Sequence, residues 1–206
     1  MRLPEAWIRE RKRDYYYRKA KEEKYRSRAT YKLLQTVKKY HFLRKGDVVV
    51  DLGAAPGGWL QASRKIVGNE GFVLGVDLRN IRSLEANNVC TIVGDITNSE
   101  TLKQIKNALP SLVDVVISDV SPNISGVWEV DHARQIDLAR QSLLVALKFL
   151  KVYGNFFVKV FQGDMFEDFV VEVQRHFTRV EIIKPKASRA KSAEIFILGM
   201  GLKKGE

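Results

Sequence analysis

The sequence has a single cysteine, Cys90, and only three histidines, His41, His132 and His176, spread far apart along the chain. A lone thiol cannot form an internal disulfide, and scattered imidazoles give no ligand cluster at recognisable spacing, so disulfide scaffolds are excluded and no metal is expected. Also missing is any run approaching the roughly 18 apolar residues of a membrane span. The first twenty residues are charged, unlike a signal peptide. The expectation is a soluble, intracellular protein of the cytoplasm. Internal repeats and low-complexity segments are absent as well. What the chain does have, over 206 residues that are 45% hydrophobic, is enough apolar material for one ordinary core, hence one structural domain.

The net charge of +11 is unevenly placed. Residues 1–45 hold 16 Lys+Arg against 5 Asp+Glu, whereas residues 46–206 hold 19 of each, so a basic arm and helix over 1–45 precede a neutral body over 46–206. Charged termini are commonly just solvated. Here, however, Arg9, Arg11, Lys12, Arg13, Arg18, Lys19, Lys21, Lys24, Arg26 and Arg28 interleave with Tyr15, Tyr16, Tyr17 and Tyr25. Cations that pair with phosphates beside rings that stack on bases point to nucleic acid. An anionic membrane surface fits less well, because the stretch has no apolar face to insert.

Beyond Ser27, a plausible N-cap, the spacing of Ala29, Leu33, Leu34, Val37 and Tyr40 predicts a helix. The pattern then alternates. Strands are predicted at 48–52, 72–77, 89–94, 113–118, 156–161, 179–184 and 194–200, with helices at 59–67, 99–108, 132–150 and 165–176. For the longest helix, Asp131 is read as the cap and Gly154 as the residue following its end. Alternation of this kind indicates a parallel α/β sheet with helices on both faces. Residues 185–193 leave no room for a crossover helix, so the last strand should run antiparallel. A seven-stranded, mostly parallel sheet with a reversed final strand is a Rossmann-like fold of the methyltransferase type rather than an all-parallel dinucleotide-binding fold.

Ligands of open α/β sheets bind at the carboxyl ends of the strands. Four carboxylates are predicted at that edge: Asp51, Asp77, Asp95 and Asp119. Singly, each has the ordinary explanation of a turn former or cap. Together they would repel a pyrophosphate and hold a ligand that carries positive charge, an amino group and hydroxyls, such as S-adenosylmethionine. The glycine-rich turn from Leu52 to Trp59, with Gly53 and Gly57, allows close backbone approach, and Asp77 is spaced to accept from ribose hydroxyls. Trp59 either covers a cofactor or anchors the core. Lys159 interrupts the apolar run Phe156-Phe157-Val158-Lys159-Val160-Phe161. Such a lysine is either a general base tuned by burial or one that snorkels to solvent. Glu194 opens the reversed strand and therefore starts at the same edge as Asp119 and Lys159.

These residues carry a resemblance. SRATYKL at 27–33, VVDLGAAPGGW at 49–59, GVDL at 75–78, GDI at 94–96, ISDVSPNISG at 117–126, FFVKVFQG at 156–163 and KPKASRAKSAEIFILG at 184–199 resemble the FtsJ/RrmJ-type RNA ribose 2′-O-methyltransferases, in particular the RlmE-like ribosomal RNA enzymes. The likeness covers nearly the whole chain. It implies a class I methyltransferase fold and a Lys-Asp-Lys-Glu tetrad at Lys32, Asp119, Lys159 and Glu194, Lys32 gaining its role from the likeness alone. It further implies S-adenosylmethionine held by Gly57, Trp59, Asp77, Asp95 and Asp119, with Gly53 shaping the turn. The implied substrate is a uridine of large-subunit ribosomal RNA, gripped by the basic arm and by Lys184, Lys186, Arg189 and Lys191, since no further RNA-binding domain follows Gly201. Other readings are the same chemistry on tRNA or an RNA cap, and a non-catalytic RNA-binding ribosome-assembly factor. A nicotinamide-dependent dehydrogenase is disfavoured by the acidic edge and the reversed strand.

Overall fold

The computed structural model describes residues 14–205. Arg9, Arg11, Lys12 and Arg13 of the basic arm lie outside them. Two helices come first, α1 (Tyr15–Glu22) and α2 (Thr30–Tyr40). There follow β1 (Val48–Leu52), α3 (Gly58–Val67), β2 (Phe72–Asp77), β3 (Val89–Val93), α4 (Ser99–Ala108), β4 (Val113–Ser118) and α5 (Trp128–Phe149). The last elements are β5 (Leu150–Phe161), α6 (Phe166–His176), β6 (Phe177–Ile183) and β7 (Glu194–Leu202). The strands form one seven-stranded sheet in the order β3-β2-β1-β4-β5-β7-β6. Only β7 is reversed, antiparallel to both β5 and β6.

Alternation along the strands divides the core between two faces. Val50, Leu52, Val116, Phe156 and Val158 pack with Ile136, Ala139 and Phe169 on the α5 and α6 side. Val49, Ile117, Phe157 and Phe196 pack with Leu33, Trp59 and Leu60 on the α2 and α3 side. The central strands are buried on both faces, which is why β1 reads as a continuous β-branched run. No helix among the described residues is long and apolar enough to cross a membrane.

Three local expectations are corrected. The long helix starts at Trp128, before Asp131, so that residue is not its cap. Asp131 is buried and accepts from Ser125 N, Ser125 Oγ and Gly126 N, and the backbone bond from Ser125 leads the effects holding its carboxyl below the usual carboxylate range. Gly154 does not follow the helix end. It lies inside β5, which begins at Leu150, and a register shift between Val113 and Val115 accommodates the irregular stretch around Tyr153, whose φ is 67°. Within the basic arm, 15–22 is a helix; Tyr16 and Tyr25 pack against Tyr31 at ring separations of 5.5 and 5.9 Å rather than standing free.

Candidate active site

The parallel topology brings the carboxyl ends of β1, β2, β3 and β4 to one edge, and with them Asp51, Asp77, Asp95 and Asp119. Their surroundings differ. Asp51 continues the inward row of Val49 and is completely buried, and neither carboxylate oxygen has a hydrogen-bond partner among the described residues. Burial pushes its carboxyl well above the usual range, and the charges of Asp119 and then Asp77 push it further. Asp77 is fixed by its neighbours: Oδ2 accepts from Ala55 N at 2.9 Å and Oδ1 from Arg79 N at 2.8 Å. Asp95 is exposed and accepts locally from Thr97 N and Oγ1. Four carboxyl groups at one edge, one of them buried without a hydrogen-bond partner among the described residues, fit a ligand bearing donors and positive charge.

The glycine-rich turn lies between β1 and α3. Gly53 has φ +74°, and a Cβ there would stand 2.9 Å from the Val120 backbone, so the turn after β1 closes directly on the loop after β4. Gly57, at φ +105°, is the N-cap of α3, which has no side-chain cap, leaving the first N–H groups of that helix to other acceptors. The indole of Trp59 is a core anchor. It stacks on Phe157 at 5.5 Å and donates from Nε1 to Ala29 O at 2.8 Å, so any hold of this residue on a ligand passes through its backbone.

Lys32, Asp119, Lys159 and Glu194 meet at the same edge. Lys159, 5% exposed, places Nζ 3.0 Å from Asp119 Oδ1 and donates to Asp119 O at 3.0 Å, so it neither snorkels nor lacks a partner. Lys32, reaching from α2, pairs with Glu194 Oε2 at 2.6 Å. Glu194 Oε1 accepts from Ser188 Oγ at 2.9 Å. The two ion pairs are linked through Phe196, which lies under Lys32 Nζ at 5.6 Å and opposite Lys159 across the β5–β7 ladder. A buried amine beside a carboxylate, linked through Phe196 to a second such pair at an acidic strand edge, can hold a hydroxyl group and move its proton.

Sequence reasoning missed three supporting groups. Gln135, wholly buried on α5, donates from Nε2 to Lys159 O at 3.0 Å and to Val120 O at 3.3 Å, tying the ends of β4 and β5 together. Its signal was a polar residue on the buried face of that helix, beside Ile136 and Ala139. Arg26 donates from Nη1 to Arg82 O at 2.5 Å and Pro56 O at 3.3 Å, and from Nη2 to Ser83 O at 2.8 Å, joining the N-terminal segment to two loops beside Asp77. Arg28 bridges the Asp14 carboxylate and the carbonyl of Ala187. Both arginines had been read only as phosphate-binding cations.

Comparison with known proteins agrees with this geometry. Residues 25–202 match the FtsJ-like methyltransferase family. The chain is 53% identical over 193 residues to the "Ribosomal RNA large subunit methyltransferase E" of Methanococcus maripaludis, covering 94% of this chain and 75% of that one. With the protein of the same name from Methanocaldococcus jannaschii it shares 50% over 200 residues, covering 96% and 82%. In fold it is similar to a Plasmodium falciparum protein described as a ribosomal RNA methyltransferase, with a TM-score of 0.77 at 24% identity, covering 88% of this chain and 100% of that one. It is also similar to a Methanococcus jannaschii fibrillarin, with a TM-score of 0.60 at 16% identity, covering 85% and 77%. Sequence and fold agree: this chain belongs to the FtsJ-like methyltransferase family.

Proposed function

We propose that this methyltransferase transfers the methyl group of S-adenosylmethionine to the 2′-hydroxyl of a uridine in large-subunit ribosomal RNA, in the cytoplasm. The observation that carries the reading is the pair of ion pairs, Lys159–Asp119 and Lys32–Glu194, at the strand edge where the buried Asp51 has no partner among the described residues. This edge fits the cofactor's character: Asp51 and Asp119 would face its positive charge, Asp77 and Asp95 would accept from its hydroxyls, and the uncapped first N–H groups of α3 after Gly57, with the backbone of Trp59, would approach it. When bound, S-adenosylmethionine supplies a methyl group activated by its sulfonium.

The chain's own residues do the rest. Lys159 takes or orients the hydroxyl proton, and Asp119, 3.0 Å away, fixes the position of its amine. Glu194 orients the ribose or the amine, and Lys32 holds Glu194 in place. Most of the acceleration comes from fixing the hydroxyl in line with the methyl carbon. The segment 1–45 and the loop bearing Lys186, Arg189 and Lys191 grip the RNA through exposed cations, Arg18, Lys21 and Lys24 among them, while Arg26 and Arg28 lock these parts to the body.

The test is transfer of labelled methyl from S-adenosylmethionine to large ribosomal subunits, and separately to bulk tRNA, from cells lacking this protein. Label in the subunit RNA is expected. Label confined to tRNA would overturn the substrate and keep the chemistry, and no label in either would overturn the reading.

A further inference from the structure

At the end of β5, beside the strand pair that carries Lys159 and Glu194, stands a stack of rings that the proposed reaction does not use. Trp128, the first residue of α5, lies nearly parallel to His132 at 5.7 Å and 17°, and to Phe161 at 6.1 Å and 23°. The stack is held from beneath. His132 is buried, accepts from Met165 N at 3.1 Å through Nε2, and lies against Gly163, where a Cβ would come within 2.8 Å of the imidazole. Trp128 itself is 44% exposed, and Ile124, Val127 and Val130 around it are exposed too. The loop carrying Ile124 and Val127 is pinned by the bonds from Ser125 and Gly126 to Asp131. A rigid indole with an open face, among apolar side chains that the fold leaves in solvent, is an unusual arrangement for a structural tryptophan.

Its position is fixed relative to the chemistry. Phe161 lies directly across the β5–β7 ladder from Glu194, and two residues along the strand from Lys159. Two residues of strand span about 6.6 Å, comparable with the spacing of one or two nucleotides, about 3.4 Å each along a stacked strand. The loop before β7 carries the exposed cations Lys186, Arg189 and Lys191, and its Ser188 donates to Glu194 Oε1. Ring and cations thus both adjoin the strand ends that carry Lys159 and Glu194, the combination that holds single-stranded nucleic acid by its base and by its phosphates.

We infer that the exposed face of Trp128, backed by His132 and Phe161, is a nucleobase-stacking subsite that receives the base of the target nucleotide or of its immediate neighbour. The inference rests on the proposed RNA substrate. An acidic or apolar protein segment is a poorer occupant, because the reacting ribose must reach the amine of Lys159 beside the same ring.

The experiment measures binding of large-subunit ribosomal RNA over a range of KCl concentrations, together with methyl transfer and S-adenosylmethionine affinity, for the wild type, Trp128→Ala and Trp128→Phe. Loss of one stacked base weakens RNA binding by about tenfold. Because the indole has no charge, that loss is the same at every salt concentration, and the slope of log affinity against log salt is unchanged. Trp128→Phe restores most of the binding, and cofactor affinity is constant throughout. RNA affinity of Trp128→Ala equal to wild type would overturn the subsite. So would a defect that Phe does not rescue and that lowers cofactor affinity in parallel, which would mark the ring as scaffold. If wild-type protein neither binds nor methylates RNA, the substrate reading itself falls, and the subsite with it.

Discussion

Replacing Lys159 with methionine removes one charge and keeps most of the apolar stem, so it isolates what the amine does. The side chain is almost wholly buried, and its ammonium is the cation beside Asp119, 3.0 Å from Oδ1. Without it, Asp119 is left near Asp51 with no paired lysine. A hydrogen bond to a charged group contributes about 1.5–3 kcal/mol. The Asp119 side chain is 21% exposed, so solvent recovers part of the loss and the expected destabilisation lies near the lower end, about 1.5 kcal/mol. The second substitution Asp119→Asn should return most of that stability, because it removes the unpaired charge. Activity should respond far more than stability. Loss of a positioned base lowers kcat by about 100- to 10,000-fold, while cofactor affinity stays near wild type, since Asp77 and the turn before α3 are untouched. Urea unfolding, calorimetric titration of S-adenosylmethionine and single-turnover methyl transfer read these three quantities. A kcat for Lys159→Met within tenfold of wild type, well short of the loss expected on removing a base, would refute the assignment.

Asp51 predicts a pH effect of definite sign. Its carboxyl is pushed up by burial, so between about pH 3.9, the unfolded value, and its raised folded value the native state binds more protons than the unfolded chain. Over that window it lowers stability as pH rises, by up to about 1.4 kcal/mol per pH unit. Asp51→Asn should remove this decline in urea unfolding without cofactor, and identical slopes for variant and wild type would contradict it. Arg26→Ala releases the carbonyls of Pro56, Arg82 and Ser83 together, and should weaken S-adenosylmethionine binding with little change in kcat at saturation; unchanged affinity by calorimetry would show that the clamp does not shape the cofactor site.

Strands with strong pattern were legible: β1, β2 and β4 lie where the apolar runs at 48–52, 72–77 and 113–118 predict, and Lys159 stands out because it breaks an apolar strand. The reversed β7 followed from a linker too short for a helix. What escaped was set by contacts distant in sequence. The segment YYYRKAKE is mostly polar, and its helix is held by the Asp14 cap and by Tyr16 packing on Tyr31. The first half of β5 reads as a loop around Tyr153 and Gly154, and pairs with β4 only through a register shift. Of the tetrad, Lys32 was indistinguishable from other lysines by pattern; its pairing with Glu194 spans 162 positions, which no local signal encodes. Arg26 and Gln135 bond to carbonyls, and a carbonyl leaves no mark on the sequence.

The central claim is that this edge of the sheet methylates a ribose hydroxyl and not a base. The most direct measurement is mass spectrometry of nucleosides from large-subunit ribosomal RNA after reaction with wild-type protein and labelled S-adenosylmethionine. The account predicts the label in 2′-O-methyluridine, absent when Lys159→Met replaces the wild type; label on a base would contradict it.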